Sequence, residues 1–276
     1  MGFFERLGAR IESTNSVVSV GLDPDPSRLP AFVSDADMPR WAFTRRIIDA
    51  THEHAACYKP NAAFYEDADG WRALRETVAY AAGKDVPVLL DAKRGDIGNT
   101  ARQYAEVLEF ADAITVNPYM GRDSLQPFFE HESTGVFVLC RTSNPGGSDL
   151  QSLELASGEP LYERVAALAD VWNANQNVGL VVGATTTEEL ERVREIVPTI
   201  PFLVPGVGAQ GGDAEAAVEH GLASHPAVDV DIGLVNSSRG IIFAGEESVR
   251  PDDEATYFGA AGDAAKRLKR RLNQYR

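Results

Sequence analysis

Two lysines and three aspartates stand where short apolar runs break into polar residues. The run VPVLLDAK (86–93) opens into DAKRGD, which supplies Asp91, Lys93 and Asp96. Residues two apart in an extended strand share a face, so the spacing points Asp91 and Lys93 the same way. AACYKP (55–60) ends around Lys59, and Asp23 is the first polar residue after SVVSVGL (16–22). Charges gathered where water is scarce are costly unless each holds its neighbour ionised. Such a set offers acid–base chemistry; the plainer reading is a structural ion-pair network. Two features favour chemistry. The charges lie at strand ends, and lysine is otherwise rare: of 26 basic residues only Lys59, Lys84, Lys93, Lys266 and Lys269 are lysines. Arginine replaces lysine poorly where a compact, transferable proton is needed.

A second set suits an anion. GVGAQG (206–211) matches G-x-G-x-x-G, follows an apolar run and precedes a helical pattern, with Asp229 and Asp231 about 20 residues on. On paper this is a dinucleotide fingerprint. Glycines at the seventh of eight strand–helix units equally let backbone N–H groups approach a phosphate. The next run ends in NSSRG and offers Arg239. A phosphate monoester held by loops seven and eight accounts for both segments; a dinucleotide accounts for one. A glycine-rich turn without a ligand is the remaining alternative.

Eight apolar runs must position these groups: 16–22, 55–60, 86–93, 112–118, 135–141, 178–184, 201–206 and 230–237. They are nearly continuous in apolarity, as parallel strands buried on both faces are. Amphipathic stretches lie between them, at 41–54, 69–83, 160–175, 186–197 and 213–223, and residues 253–274 close the series. This alternation predicts an α/β protein with a parallel sheet. Eight units suit a (β/α)8 TIM barrel, with an open doubly wound sheet as the alternative. No linker divides residues 1–276, so one domain is expected. A helix over 2–13 is expected to cover the bottom of the barrel. The least structured stretch, 143–160, follows the fifth strand and has the character of a lid.

Composition excludes several classes. The chain has 276 residues, 44% hydrophobic and 24% charged, with no apolar run long enough to cross a membrane. MGFFERLGARIE carries charge too early for a secretory core, which leaves the cytoplasm. The net charge of −15 repels nucleic acid and anionic membrane. Acid-rich, lysine-poor composition suits a salt-adapted cell; a GC-rich genome is the alternative. Cys57 and Cys140 read as buried reduced thiols. The five histidines, His52-Glu53-His54 included, lack the spacing of a metal site.

The segments DAKRGDIGNTA (91–101), PGVGAQGGD (205–213) and VNSSRGI (235–241) resemble the signatures of the orotidine 5′-phosphate decarboxylase family. YKPNAAFYE, VNPYMGRDSLQPF and RTSNPG resemble its longer-chain branch. The D-x-K-x-x-D segment alone is shared with related sugar-phosphate enzymes, so a decarboxylase or aldolase using a metal at the Asp/Lys cluster is the competing reading. The resemblance implies conversion of orotidine 5′-phosphate to uridine 5′-phosphate and carbon dioxide in pyrimidine biosynthesis, without metal or organic cofactor, by a homodimer with shared active sites. It casts Lys93 as proton donor to C6 and Asp91 as the carboxylate set against the substrate's own. Lys59 bridges the charges and the ribose. Asp96 and Thr100 reach into the partner's active site. Asp23 binds ribose, Ser143 the pyrimidine, and Gln210 links the lid to the phosphate. Arg239 binds the phosphate, and Pro205 and Ser238 flank it.

Overall fold

The computed structural model describes residues 1–183, 187–207 and 213–276. The chain opens with α1 (Phe3–Thr14), β1 (Val18–Leu22), α2 (Ala31–Ser34), α3 (Pro39–Thr51) and β2 (Cys57–Pro60). There follow α4 (Ala68–Ala82), β3 (Leu89–Arg94), α5 (Gly98–Ala105), β4 (Ala113–Val116), α6 (Arg122–Phe129) and β5 (Gly135–Arg141). The second half runs α7 (Leu161–Trp172), β6 (Val178–Val182), α8 (Thr187–Ile196), β7 (Phe202–Pro205), α9 (Ala214–Glu219) and β8 (Leu234–Ser237). Helices α10 (Arg239–Ile242) and α11 (Glu254–Leu272) end it.

All eight expected strands form, and they pair in parallel in the order β2-β1-β8-β7-β6-β5-β4-β3. The outer two meet through the parallel bridges Tyr58↔Val88 and Asn61↔Asp91, which close the (β/α)8 barrel. Closure removes the free edges that an open sheet would carry. Strands β1, β4 and β6 are buried along their whole length, which is why their sequences are mostly apolar with no polar alternation; Ser19 and Thr115 are the buried hydroxyls among them. Period two still sorts the sides. In β2, Tyr58 turns to α3, where its hydroxyl bonds Ile48 O and Thr51 Oγ1, and Lys59 turns inward.

Helix α1 lies across the N-terminal end of the strands. Phe3 and Phe4 meet Phe137 edge-on with ring centroids 5.9 and 5.8 Å apart. A Cβ on Gly135 would come within 2.5 Å of the Phe3 ring, so the contact depends on glycine there. The expected helices overran their ends: α3 stops at Thr51, α7 at Trp172 and α9 at Glu219. After α7 the Asn173 side chain turns back to accept the Val178 N–H, starting β6.

Segment 143–160 is more ordered than its composition predicts. It holds a 3-10 turn, Pro145–Asp149, and a bridge, Glu154↔Pro160. The Gln151 carboxamide accepts the Thr142 N–H at 2.9 Å and donates to Thr142 Oγ1 at 2.9 Å. Arg141, 9% exposed, donates to Gln151 Oε1 and pairs with Glu189 of α8 at 2.9 Å. Among the described residues no helix is long and apolar enough to cross a membrane.

Candidate active site

Strands β3 and β4 pair at Leu89↔Ala113 and Leu90↔Ile114, then again at Arg94↔Val116. Asp91, Ala92 and Lys93 therefore stand opposite the single Thr115. Extra residues on one strand make a bulge that re-aims side chains. Lys93 has φ 50, in the left-handed region that side-chain-bearing residues visit rarely. Simple alternation thus fails here, yet its outcome survives: Lys93 Nζ reaches Asp91 Oδ1 at 2.6 Å.

Asp91 is the hub. Its Oδ2 accepts from Lys59 Nζ at 3.0 Å, and its Oδ1 accepts from Lys93 Nζ and from Thr115 Oγ1 at 2.8 Å. Thr115 Oγ1 in turn accepts the Lys93 N–H at 2.9 Å. Burial works against the Asp91 charge, but Lys59, Lys93 and the Thr115 hydroxyl outweigh it and hold its carboxyl well below the usual carboxylate range. Burial likewise works against the Lys59 ammonium, whose side chain is 5% exposed, yet the charges of Asp91 and Asp23 raise its pKa. The Lys93 side chain is half exposed at the barrel mouth. The arrangement presents one open ammonium, backed by a carboxylate that cannot easily be protonated.

Beside this cluster, at the C-terminal ends of β7 and β8, lies a cavity of about 150 Å³ lined by Asp23, Pro205–Val207 and Asn236–Arg239. Gly206 has φ 100, which glycine permits at this sharp exit from β7. Asn236 is anchored by the Ser19 hydroxyl at 3.1 Å. Ser238 packs so closely on β1 that a Cβ on Gly21 would fall 1.8 Å from its Oγ. Among the described residues Asp23 Oδ1 is buried without a hydrogen-bond partner, and Asp23 lines the cavity. Arg239 is exposed at the rim and pairs with no carboxylate among the described residues. A larger cavity, about 530 Å³, opens between α1 and residues 82–87, where Arg6 already pairs with Asp112 at 2.8 Å.

The remaining expected residues fall into three groups. Ser143 sits half-buried just past β5, its backbone so near β6 that a Cβ on Gly183 would come within 2.9 Å of its nitrogen. Asp96 and Thr100 stand apart from the cluster: one Asp96 oxygen accepts the Ile97 N–H at 2.8 Å, and Thr100 is exposed on α5. Gln210 and most of GVGAQG lie outside the described residues. Cys57 and Cys140 are buried, and burial pushes both thiols up. Among the described residues no three His, Cys, Asp or Glu side chains form a metal-binding group, those of His52, Glu53 and His54 included. Sequence reasoning missed Thr115 and the Arg141–Gln151 brace. A lone hydroxyl within AITV was the available sign of the first.

Three comparisons bear on this geometry. The family model described as "Orotidine 5'-phosphate decarboxylase / HUMPS family" matches residues 16–250. Orotidine 5′-phosphate decarboxylases of Halorubrum lacusprofundi and Haloarcula marismortui are 84% and 72% identical, each over the full length of both chains. The solved Leishmania donovani OMP decarboxylase superposes with a TM-score of 0.80 at 42% identity, covering 100% of this chain and 98% of that one.

Proposed function

The chain belongs to the orotidine 5′-phosphate decarboxylase family, and from that membership we propose how its residues divide the work. The reaction is that of a carboxy-lyase: orotidine 5′-phosphate loses carbon dioxide to give uridine 5′-phosphate. The C6–carboxylate bond breaks and its electron pair stays on C6. The Lys93 ammonium lies beside that centre, stabilises the developing charge and delivers a proton to it. Asp91 pairs with the Lys93 ammonium and faces the substrate's carboxylate, an arrangement that disfavours the bound ground state. Lys59 balances Asp91 from the buried side and reaches the ribose, whose hydroxyl meets the unpartnered oxygen of Asp23.

The cavity between β7, β8 and Asp23 suits the phosphate, with Arg239 at its rim and Pro205 and Ser238 around it; the role of linking lid to phosphate falls to Gln210 on family resemblance alone, since it lies outside the described residues. Phosphate binding lies away from the reacting carbon, so its energy can align the ring and raise the rate. Ser143 contacts the pyrimidine from the end of β5. The observation that carries this reading is the grip of two lysines on Asp91, at 3.0 and 2.6 Å.

Asp96 and Thr100 complete the site of a second copy. Ile97, Tyr119 and Met120 are 57%, 80% and 46% exposed near them, an apolar face that suits a homodimer. The assembly works in the cytoplasm, as one catalytic domain per chain over residues 1–276. A spectrophotometric decarboxylation assay of Lys93→Ala tests the reading. Turnover falls by several orders of magnitude while the melting temperature stays within a few degrees. Full activity in this variant refutes the assignment, and loss of wild-type activity in EDTA, restored by magnesium, would replace it with metal chemistry.

A further inference from the structure

We infer that Thr115 is a positioning residue, whose hydroxyl fixes the proton donor and its carboxylate partner relative to one another. This rests on the roles given above to Asp91 and Lys93. The hydroxyl has one proton and spends it on Asp91 Oδ1, at 2.8 Å. With a lone pair it accepts the Lys93 N–H, at 2.9 Å. One atom therefore ties the backbone of one residue to the side chain of the other. Its own carbon frame is fixed, since Thr115 is 1% exposed in the middle of β4.

The bulge explains why such a tie is needed. Between Leu90 and Arg94 the β3–β4 register slips, and Lys93 has no paired residue on β4. The Lys93 N–H consequently goes to a side chain. Its left-handed φ of 50 is a conformation that persists only where surrounding contacts impose it. Valine has the same branched shape and keeps the strand, but it supplies neither donor nor acceptor. Without the hydroxyl, the Lys93 N–H loses its acceptor, the bulge can relax, and Asp91 Oδ1 can turn on its side-chain torsion. The Lys93 ammonium moves with both. A misplacement of about 1 Å at a reacting group can cost 100-fold in rate. On the roles proposed above, the phosphate end of the substrate is held elsewhere, in the cavity at β7 and β8.

The test compares Thr115→Ser, Thr115→Val and Thr115→Ala with wild type and with Lys93→Ala, in the full-length dimer. Serine keeps the hydroxyl and should retain kcat within about fivefold. Valine and alanine should lose about 100-fold in kcat with KM within about threefold. If Thr115→Val does not fold, the serine–alanine contrast gives the same answer. The inference is overturned if valine or alanine stays within threefold of wild-type kcat. It is equally overturned if serine is as impaired as they are, or if the loss appears in KM alone. Activity surviving in Lys93→Ala overturns the assignment of Lys93 instead, independently of the threonine series.

Discussion

Replacing Asp91 by asparagine should destabilise the fold, and by an amount that shrinks as pH rises. Lys59 and Asp91 are 5% and 12% exposed, so the change leaves a buried ammonium without its counter-charge. Breaking a buried pair from one side costs about 3–5 kcal/mol. The protein can escape part of this by releasing the Lys59 proton. From an ordinary lysine pKa of about 10.4, that release costs about 4.6 kcal/mol at pH 7, which sets the ceiling. Asp23, whose charge already acts on Lys59, offers partial compensation and favours the lower end. We therefore expect about 3 kcal/mol at pH 7, or about 6 °C in melting temperature at about 2 °C per kcal/mol. The sign of the pH effect follows from the two lysine states. In the wild type the Lys59 pKa is raised, so its contribution is complete below the unfolded value and is lost only as pH rises through the folded one. In the variant, burial without Asp91 depresses the folded Lys59 pKa, the unfolded state binds more protons, and stability climbs with pH. At pH 9.5 the ceiling is only about 1.2 kcal/mol, and the gap should close to about 2 °C. The wild-type Asp91 contribution is unaffected over this window, because its depressed carboxyl loses stability only as pH falls below the usual carboxylate range. The assay is thermal unfolding of both proteins at pH 7 and 9.5 in molar potassium chloride. A gap that is absent at pH 7, or equal at both values, refutes the argument.

Three further outcomes are expected. Gly21→Ala would place a Cβ 1.8 Å from Ser238 Oγ and shift the turn before Arg239, so KM should rise about tenfold. Adding Ser238→Gly should recover most of that; an unchanged KM in the single variant separates this turn from substrate binding. Inactive Lys93→Ala and Asp96→Ala chains, mixed under conditions of proven subunit exchange, should regenerate activity, since one hybrid site has both residues intact. No recovery removes the shared site. The unfolding midpoint in urea should rise between 0.2 and 3 M potassium chloride, as screening relieves the repulsion of a −15 chain. A flat response assigns the composition to the genome and not to salt.

The barrel was legible because burial on both faces leaves its mark residue by residue: a run such as VGLVV has no polar side to show. Lys59 and Asp91 were legible for the converse reason, as charges that interrupt such runs. What escaped depended on pairing between distant strands. No local pattern reports that three residues of β3 oppose one of β4, and the bulge follows from that register alone. Thr115 hid because a β-branched residue is the ordinary occupant of a strand. Segment 143–160 looked unstructured because its order comes from Arg141, Gln151 and Glu189, up to 48 residues apart in sequence. Ser238 against Gly21 is likewise a contact between the turn after the last strand and the first strand.

The proposed site offers a physical account of how a strongly acidic chain could hold an anionic substrate. Fields from the acidic surface act over the screening length, which is about 10 Å at 0.1 M salt and about 3 Å at 1 M. In the concentrated salt that suits this composition and its haloarchaeal relatives, most of the −15 is invisible at the barrel mouth. The buried Lys59–Asp91 contact, 3.0 Å long, is sheltered from ions and keeps its strength. Among the residues assigned above to the substrate, Lys59, Lys93 and Arg239 exceed Asp23 and Asp91 by one positive charge. Two of five lysines are spent there. Salt therefore weakens the repulsion from outside more than the attraction within, and affinity for a small phosphate-bearing anion survives conditions that would strip a protein from nucleic acid.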